Sequence, residues 1–168
     1  MELKINLLKS EIMYDVMNET HIAGKSRFNG ENNEFVYNMQ AAEDDSHTNK
    51  LLRSMETNVE ELKTQLSYFL KNGADTESDN IQSTIKDDDD AFELVLDVTT
   101  RFNKAYTQTI SLLAHKFIVN KMIFEWYNTT KPDEAKTFYE LAMGNLKQIK
   151  ASFFKMPPVR PVHKQEGA

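Results

Sequence analysis

The side chains best equipped for chemistry in this sequence are four histidines and an excess of carboxylates. His21, His47, His115 and His163 fall at no spacing that would gather two of them on one helix around a metal. The Glu-x-x-His pattern of di-iron bundles is absent. Its nearest relative, Asp44-x-x-His47, reads as a helix start, because a metal site needs three or four ligands. His115 falls inside a long apolar helix pattern and reads as a packed or hydrogen-bonded histidine. Asp75-x-Glu77-x-Asp79 begins like a calcium loop. However, Asn80 stands where that loop needs glycine and Lys86 where it needs its bidentate glutamate. Asp87, Asp88, Asp89 and Asp90 read as a solvated turn. Neither a metal nor a cofactor is expected.

Covalent catalysis has few footholds. The chain contains no cysteine, which removes thiol nucleophiles, thiolate metal sites and disulfides together and fits a reducing compartment. It has no Gly-rich phosphate loop and no Gly-x-Ser-x-Gly. A Ser–His–Asp set assembled from distant segments is the remaining route, and no spacing points to one. The expectation is a protein that is not an enzyme. Pro158-Val159-Arg160-Pro161 matches the P-x-x-P pattern of polyproline ligands, and equally suits a tail that ends a helix and lies over a neighbour.

These residues must be positioned by a largely helical scaffold. Ile5, Leu8, Ile12 and Val16 recur at helical spacing, widened by Met13 and Met17, and predict a helix over 4–19 that ends well before Gly24. Residues 21–33 read as a loop. Phe35, Tyr37 and Met39 suggest a short strand. Leu52, Met55, Val59, Leu62, Leu66 and Phe69 form an a/d seam, broadened by Leu51 and Leu70, and predict a helix over 46–71 stopped by Asn72-Gly73. Phe92, Leu94, Leu96 and Val98 alternate as a strand, expected to pair with residues 81–85 as a hairpin or else with 35–39.

The C-terminal third is the strongest helical signal. Asn103 can cap a helix whose apolar residues include Tyr106, Ile110, Leu113, Phe117 and Phe124 on one face, with Leu112, Ala114, Ile118, Met122 and Trp126 beyond it. A helix so apolar is expected to be buried on two sides. Thr130-x-x-Asp133 resembles a capping box with Pro132 in the first turn. The last helix turns Ala135, Phe138, Ala142, Leu146, Ile149 and Phe153 inward and stops before Met156-Pro157-Pro158. Gly144 sits mid-helix, a costly place unless a neighbour packs close.

Composition sets outer limits. The 168 residues, 40% apolar and 27% charged, suit one domain with a modest core. The net charge of −6 argues against a nucleic-acid-binding sheath. Neither a signal-peptide core nor a membrane-length apolar run occurs, so no membrane partner is expected. The expected fold is mainly α: about four helices in a small bundle with a minor antiparallel β-hairpin or strand pair. The expected organisation is one helical domain over 1–155, with an acidic arm over 74–98 inserted in it. An extended Pro-rich tail over 156–168 follows.

Four stretches carry a family resemblance. They are Phe35-Val36-Tyr37-Asn38-Met39 leading into Glu43-Asp44-Asp45; Phe92-Glu93-Leu94-Val95-Leu96 ending in Arg101-Phe102-Asn103; the hairpin from Ile118 through Trp126 and Pro132 to Ala135; and Pro158-Val159-Arg160-Pro161. In that order the chain resembles small structural proteins of tailed phages and prophages of Bacteroidetes, crAss-like phages included, whose setting is the head–tail connector or neck ring. The resemblance implies a non-enzymatic virion subunit, assembled in the bacterial cytoplasm as a homo-oligomeric, dodecameric ring at the head–tail junction. Its partners would be the portal and other neck or tail proteins, and genome DNA would pass without sequence-specific binding. A connector channel lined with acid avoids gripping phosphates.

Two contact surfaces are expected on this reading. The subunit-contact candidates are Phe153, Phe154, Met156, Pro157, Pro158, Val159, Arg160 and Pro161. The acidic-arm candidates are Asp75, Glu77, Asp79, Asp87, Asp88, Asp89 and Asp90, facing a channel or a neighbouring subunit. The alternatives are a cellular helical interaction module that uses its Pro-rich tail, and a small hydrolase with a dispersed site.

Overall fold

The computed structural model describes residues 1–26, 37, 40–41, 45–71 and 90–155. The protein is mainly helical, with four described helices and a two-stranded antiparallel sheet. In chain order the elements are β1 (Glu2–Leu8), α1 (Lys9–Lys25), α2 (Asp45–Gln65), β2 (Ala91–Asp97), α3 (Thr107–Thr130) and α4 (Pro132–Phe153).

Helix α3 is the hub, touching α1, α2, α4 and β1. Ile110, Ala114, Phe117, Ile118, Met122, Ile123, Trp126 and Tyr127 are all buried, which surrounds its axis with apolar contact. This agrees with the two-sided burial its composition predicts. Helix α4 folds back along it: Phe124 meets Tyr139 and Tyr127 meets Phe138, with ring centroids 5.2 and 5.4 Å apart. Helix α2 buries Leu51, Met55, Val59 and Leu62, and Leu66 just after it is buried too. The seam is therefore rotated slightly from the expected one, with Leu51 fully inside and Leu52 only half-buried.

The first five residues of the expected N-terminal helix, 4–8, instead belong to a strand. Leu3, Ile5 and Leu7 are buried while Glu2, Lys4, Asn6 and Leu8 are exposed, the period-two pattern of a half-buried strand. The helix starts at Lys9 and runs to Lys25, through the segment 21–25 expected to be loop, and buries Gly24. Ile5 and Leu8 both lie in the strand, and they line up with Ile12 and Val16 only because the strand runs straight into the helix.

The partner of β2 is neither 81–85 nor 35–39. It is β1, in a register that sets Leu3 opposite Leu96, Ile5 opposite Leu94 and Leu7 opposite Phe92. Pairing two strands of matching period puts both apolar faces on the same side, over the helices. Thus residues 91–98 of the expected arm belong to the body, with Leu94, Leu96 and Val98 buried. The second helix ends at Gln65, short of residue 71. A 3-10 turn over Ser67–Phe69 follows, Leu70 bridges Leu96, and the Lys71 N–H donates to the Val95 carbonyl at 3.0 Å. The sheet edge recruits these residues, overriding their helical pattern.

Two cap expectations divide. The Asn103 side chain accepts from the Ala105 N–H at 3.1 Å and caps a 3-10 turn ahead of α3. Thr130 does not form a capping box. Its hydroxyl donates back to the Trp126 carbonyl at 3.1 Å, and Lys131, ion-paired with Glu134, occupies the N-cap of α4 with Pro132 at the helix start. Of the strand expected at 35–39 only Tyr37 is described, and it is helical and exposed; the stop at Asn72-Gly73 and most of the acidic arm lie outside the described residues.

Candidate subunit-contact surface

The C-terminal end of α4 carries an aromatic cluster built from three elements. Phe153 is 7% exposed and stacks on Phe69 at 4.2 Å with planes 21° apart, while Phe102 tilts against it at 6.3 Å. Phe154 continues outward, its ring centroid 5.8 Å from that of Phe69 and set edge-on, and Tyr68 flanks Phe69 at 5.1 Å. Phe153 is thus core, whereas Phe154 and Tyr68 are 69% and 88% exposed. Beside them lies a groove of about 470 Å3 lined by Met1, Asp97, Thr99, Thr100 and Arg101 as well as these rings.

Large exposed aromatic rings next to a polar-rimmed groove suit a protein contact, because docking removes apolar area that folding left in water. Lys155, the last described residue, holds its ammonium 4.8 Å over the Tyr106 ring and so anchors the end of this face. Of the expected contact residues, Phe153 and Phe154 are therefore placed here. Met156, Pro157, Pro158, Val159, Arg160 and Pro161 lie outside the described residues. Of the acidic-arm residues only Asp90 is described. It is exposed, and its carbonyl accepts the Lys9 N–H at 2.9 Å, which fixes the arm's return point beside the start of α1.

A second feature bears out the reading of His115 as a hydrogen-bonded histidine and supplies the partner that the sequence did not show. His115 on α3 bonds Asp15 on α1, Nε2 to Oδ2, at 2.8 Å. Ser10, Ser111, Glu11, Tyr14 and Lys116 share with them a groove of about 490 Å3. These are the residue types of a catalytic triad. The connectivity differs, because no hydrogen bond joins Ser10 or Ser111 to the imidazole among the described residues, and Asp15 is 46% exposed. A serine needs its base within hydrogen-bond reach to be activated. As it stands the pair ties α1 to α3. Its signal in the sequence was a lone histidine on an apolar helix, whose acidic partner is 100 residues away.

A third cluster lies between α2 and α3. Glu125 accepts from Ser54 Oγ at 2.5 Å and from Asn58 Nδ2 at 3.2 Å, and one turn away Lys121 pairs with Glu61 at 2.9 Å. Asn58 is fully buried and Lys121 is 7% exposed. His47 sets its ring edge-on against Trp126 at 4.8 Å, so it packs at the start of α2. Among the described residues no three His, Asp or Glu side chains gather as metal ligands, and no described helix is long and apolar enough to cross a membrane. No protein-family model, curated protein or solved structure matches this chain.

Proposed function

We propose that this chain is a structural subunit of a tailed-phage head–tail connector, acting through protein contacts and not through catalysis. The observation that carries the contact role is the outward pair Tyr68 and Phe154, left in water beside the stacked Phe69 and Phe153 where the Pro-rich tail begins. The phage setting rests on the family resemblance of the four stretches named above. In this role the rigid helical body supplies the ring wall, and residues 156–168 reach across to a neighbouring chain. Their three prolines favour an extended shape, which lowers the ordering cost of docking. The net charge of −6 suits a passage through which DNA moves without being held.

Truncation after Lys155 tests the reading. The shortened chain should melt as the full chain does, yet fail to enter particles. Normal incorporation would remove the tail from the mechanism.

The Asp15–His115 groove gives the hydrolase alternative its one specific footing. A serine-directed fluorophosphonate should leave Ser111 and Ser10 unlabelled. Stoichiometric labelling of either would favour the enzyme instead.

A further inference from the structure

The parity of the sheet's hydrogen bonds leaves one edge unpaired among the described residues. Met1 and Val98 exchange both backbone bonds, at 2.6 and 2.9 Å, and the Lys9 N–H reaches the Asp90 carbonyl. In an antiparallel ladder this fixes every second residue. Leu3, Ile5 and Leu7 direct their backbone groups at β2, whereas Glu2, Lys4, Asn6 and Leu8 direct theirs away from it. The far edge of β2 is already engaged by Leu70 and Lys71. No described strand lies on the outer edge of β1. The groove that holds His115 runs beside it instead, lined by Asn6 and Leu8. An unpaired edge of this kind is a template for strand addition.

We infer that this edge receives residues 159–164 of a second copy of the chain as an antiparallel third strand. The inference rests on the assembly reading above and names the tail's receptor. Its ground is a match of period. With Arg160, Val162 and Lys164 in the bonding positions, their side chains join the exposed face of the sheet, beside Glu2, Glu93 and Asp97, which already pair with Lys71, Lys4 and the Met1 ammonium. Val159, Pro161 and His163 then fall on the face of Leu3, Ile5 and Leu7 and extend the apolar side. Pro161 turns its ring nitrogen away from β1, where the missing N–H loses no bond and closes the new edge to further strands. One register sets Lys164 opposite Glu2, Val162 opposite Lys4 and Arg160 opposite Asn6. Shifting it by two residues either way sets Lys164 or Arg160 against Lys4, and like charges directly opposite are unfavourable.

The donor is a second copy because of where the chain's own tail starts. Phe153 stacks on Phe69, the residue before Leu70, so α4 ends on the β2 side of the sheet. The open edge is on the other side.

Two single-proline variants of the full chain separate this from a general stickiness of the tail. Val162→Pro removes an N–H that faces β1, and His163→Pro removes one that faces away. Native mass across a concentration series should show association weakened about tenfold or more by Val162→Pro, the scale of one lost backbone bond and its blocked neighbours. His163→Pro should associate like the unaltered chain. Glu2→Lys should weaken association, and adding Lys164→Glu should restore it. If the chain associates and the two proline variants behave alike, the edge assignment is wrong and the assembly reading stands. If the unaltered chain stays monomeric throughout and never enters particles, both readings fall.

Discussion

Phe153 and Phe154 are neighbours in sequence and opposites in environment: the first stacks on Phe69 at 4.2 Å, and the second lies 69% exposed. Helix α4 ends between them, so one ring faces the core and the next faces water. Phe153→Ala should lower the unfolding free energy by about 3–5 kcal/mol, the range for a buried phenylalanine. Phe154→Ala should change stability by about 0.5 kcal/mol or less, as surface substitutions do, while reducing incorporation into particles. Chemical denaturation of the two variants gives the contrast directly. Equal losses of stability would mean that Phe154 is as much core as Phe153.

Gly144 offers a stabilising substitution. A methyl group built on it meets nothing within 4 Å, so no close-packed neighbour explains the glycine. Gly144→Ala should raise stability by about 1 kcal/mol through helix propensity alone. The melting temperature should rise by about 2–4 °C, as expected for a chain of this length. A fall would show that some partner needs the space.

Glu125 holds two donors on α2 at once. Glu125→Leu would leave the Ser54 hydroxyl without its acceptor between α2 and α3, at about 1–3 kcal/mol, while the Asn58 amide keeps its bond to the Ser54 carbonyl at 2.8 Å. Glu125→Gln keeps an acceptor in place and should cost less than half as much. Comparing the two by denaturant midpoint separates the polar contact from the loss of shape. The Asn58 Oδ1 atom already accepts no hydrogen bond, so Asn58 contributes only its donors.

The exposed face of the sheet should respond to pH at both ends. The Lys71 ammonium, which donates to Glu2 at 2.7 Å, holds the Glu2 carboxyl below its ordinary value, with Lys4 assisting. Glu93, bonded to Lys4 at 2.9 Å, holds the Lys4 ammonium above its ordinary value, with Glu2 assisting. A lowered carboxyl value contributes stability above the unfolded value and loses it as pH falls through the folded one. A raised ammonium value contributes below the unfolded lysine value and loses it as pH rises through the folded one. Lys71→Met should therefore melt below the unaltered chain at neutral pH and converge with it in acid. Added salt should shrink the difference, since these side chains are exposed. A gap that persists below the carboxylate range would assign the effect to packing of the lysine stem.

The helices were legible in the sequence where their apolar residues kept one period over several turns. Residues 107–153 are the clearest case, because Pro132 breaks the pattern where α3 gives way to α4. The N-terminus misled because β1 passes into α1 with no glycine or proline between them. Ile5, Leu8, Ile12 and Val16 then look like one helical row, although only the last two lie in the helix. The better signal was the alternation of Leu3, Ile5 and Leu7 with Glu2, Lys4 and Asn6. The end of α2 was illegible for a different reason. Leu70 leaves the helical pattern to pair with Leu96, and local sequence carries no trace of a contact made 26 positions away. The same distance problem hid Asp15 from His115. The aromatic surface was half legible: Phe153 and Phe154 stood out at the end of a helix, but Tyr68 and Phe69 came to them only through the fold.

The sheet joins the beginning of the chain to its middle, with Glu2 opposite Asp97. On a ribosome, β1 emerges first and must wait for β2. At about 5–20 residues per second that delay is roughly 5–20 s. Throughout it Leu3, Ile5 and Leu7 have no strand to cover them. A loop of that length also closes slowly in a refolding chain, since nonlocal pairing pays its entropy before it gains contacts. The α3–α4 hairpin, whose partners are close in sequence, has no such delay. Folding should therefore run from the C-terminal hairpin towards the N-terminal strand, opposite to the order of synthesis.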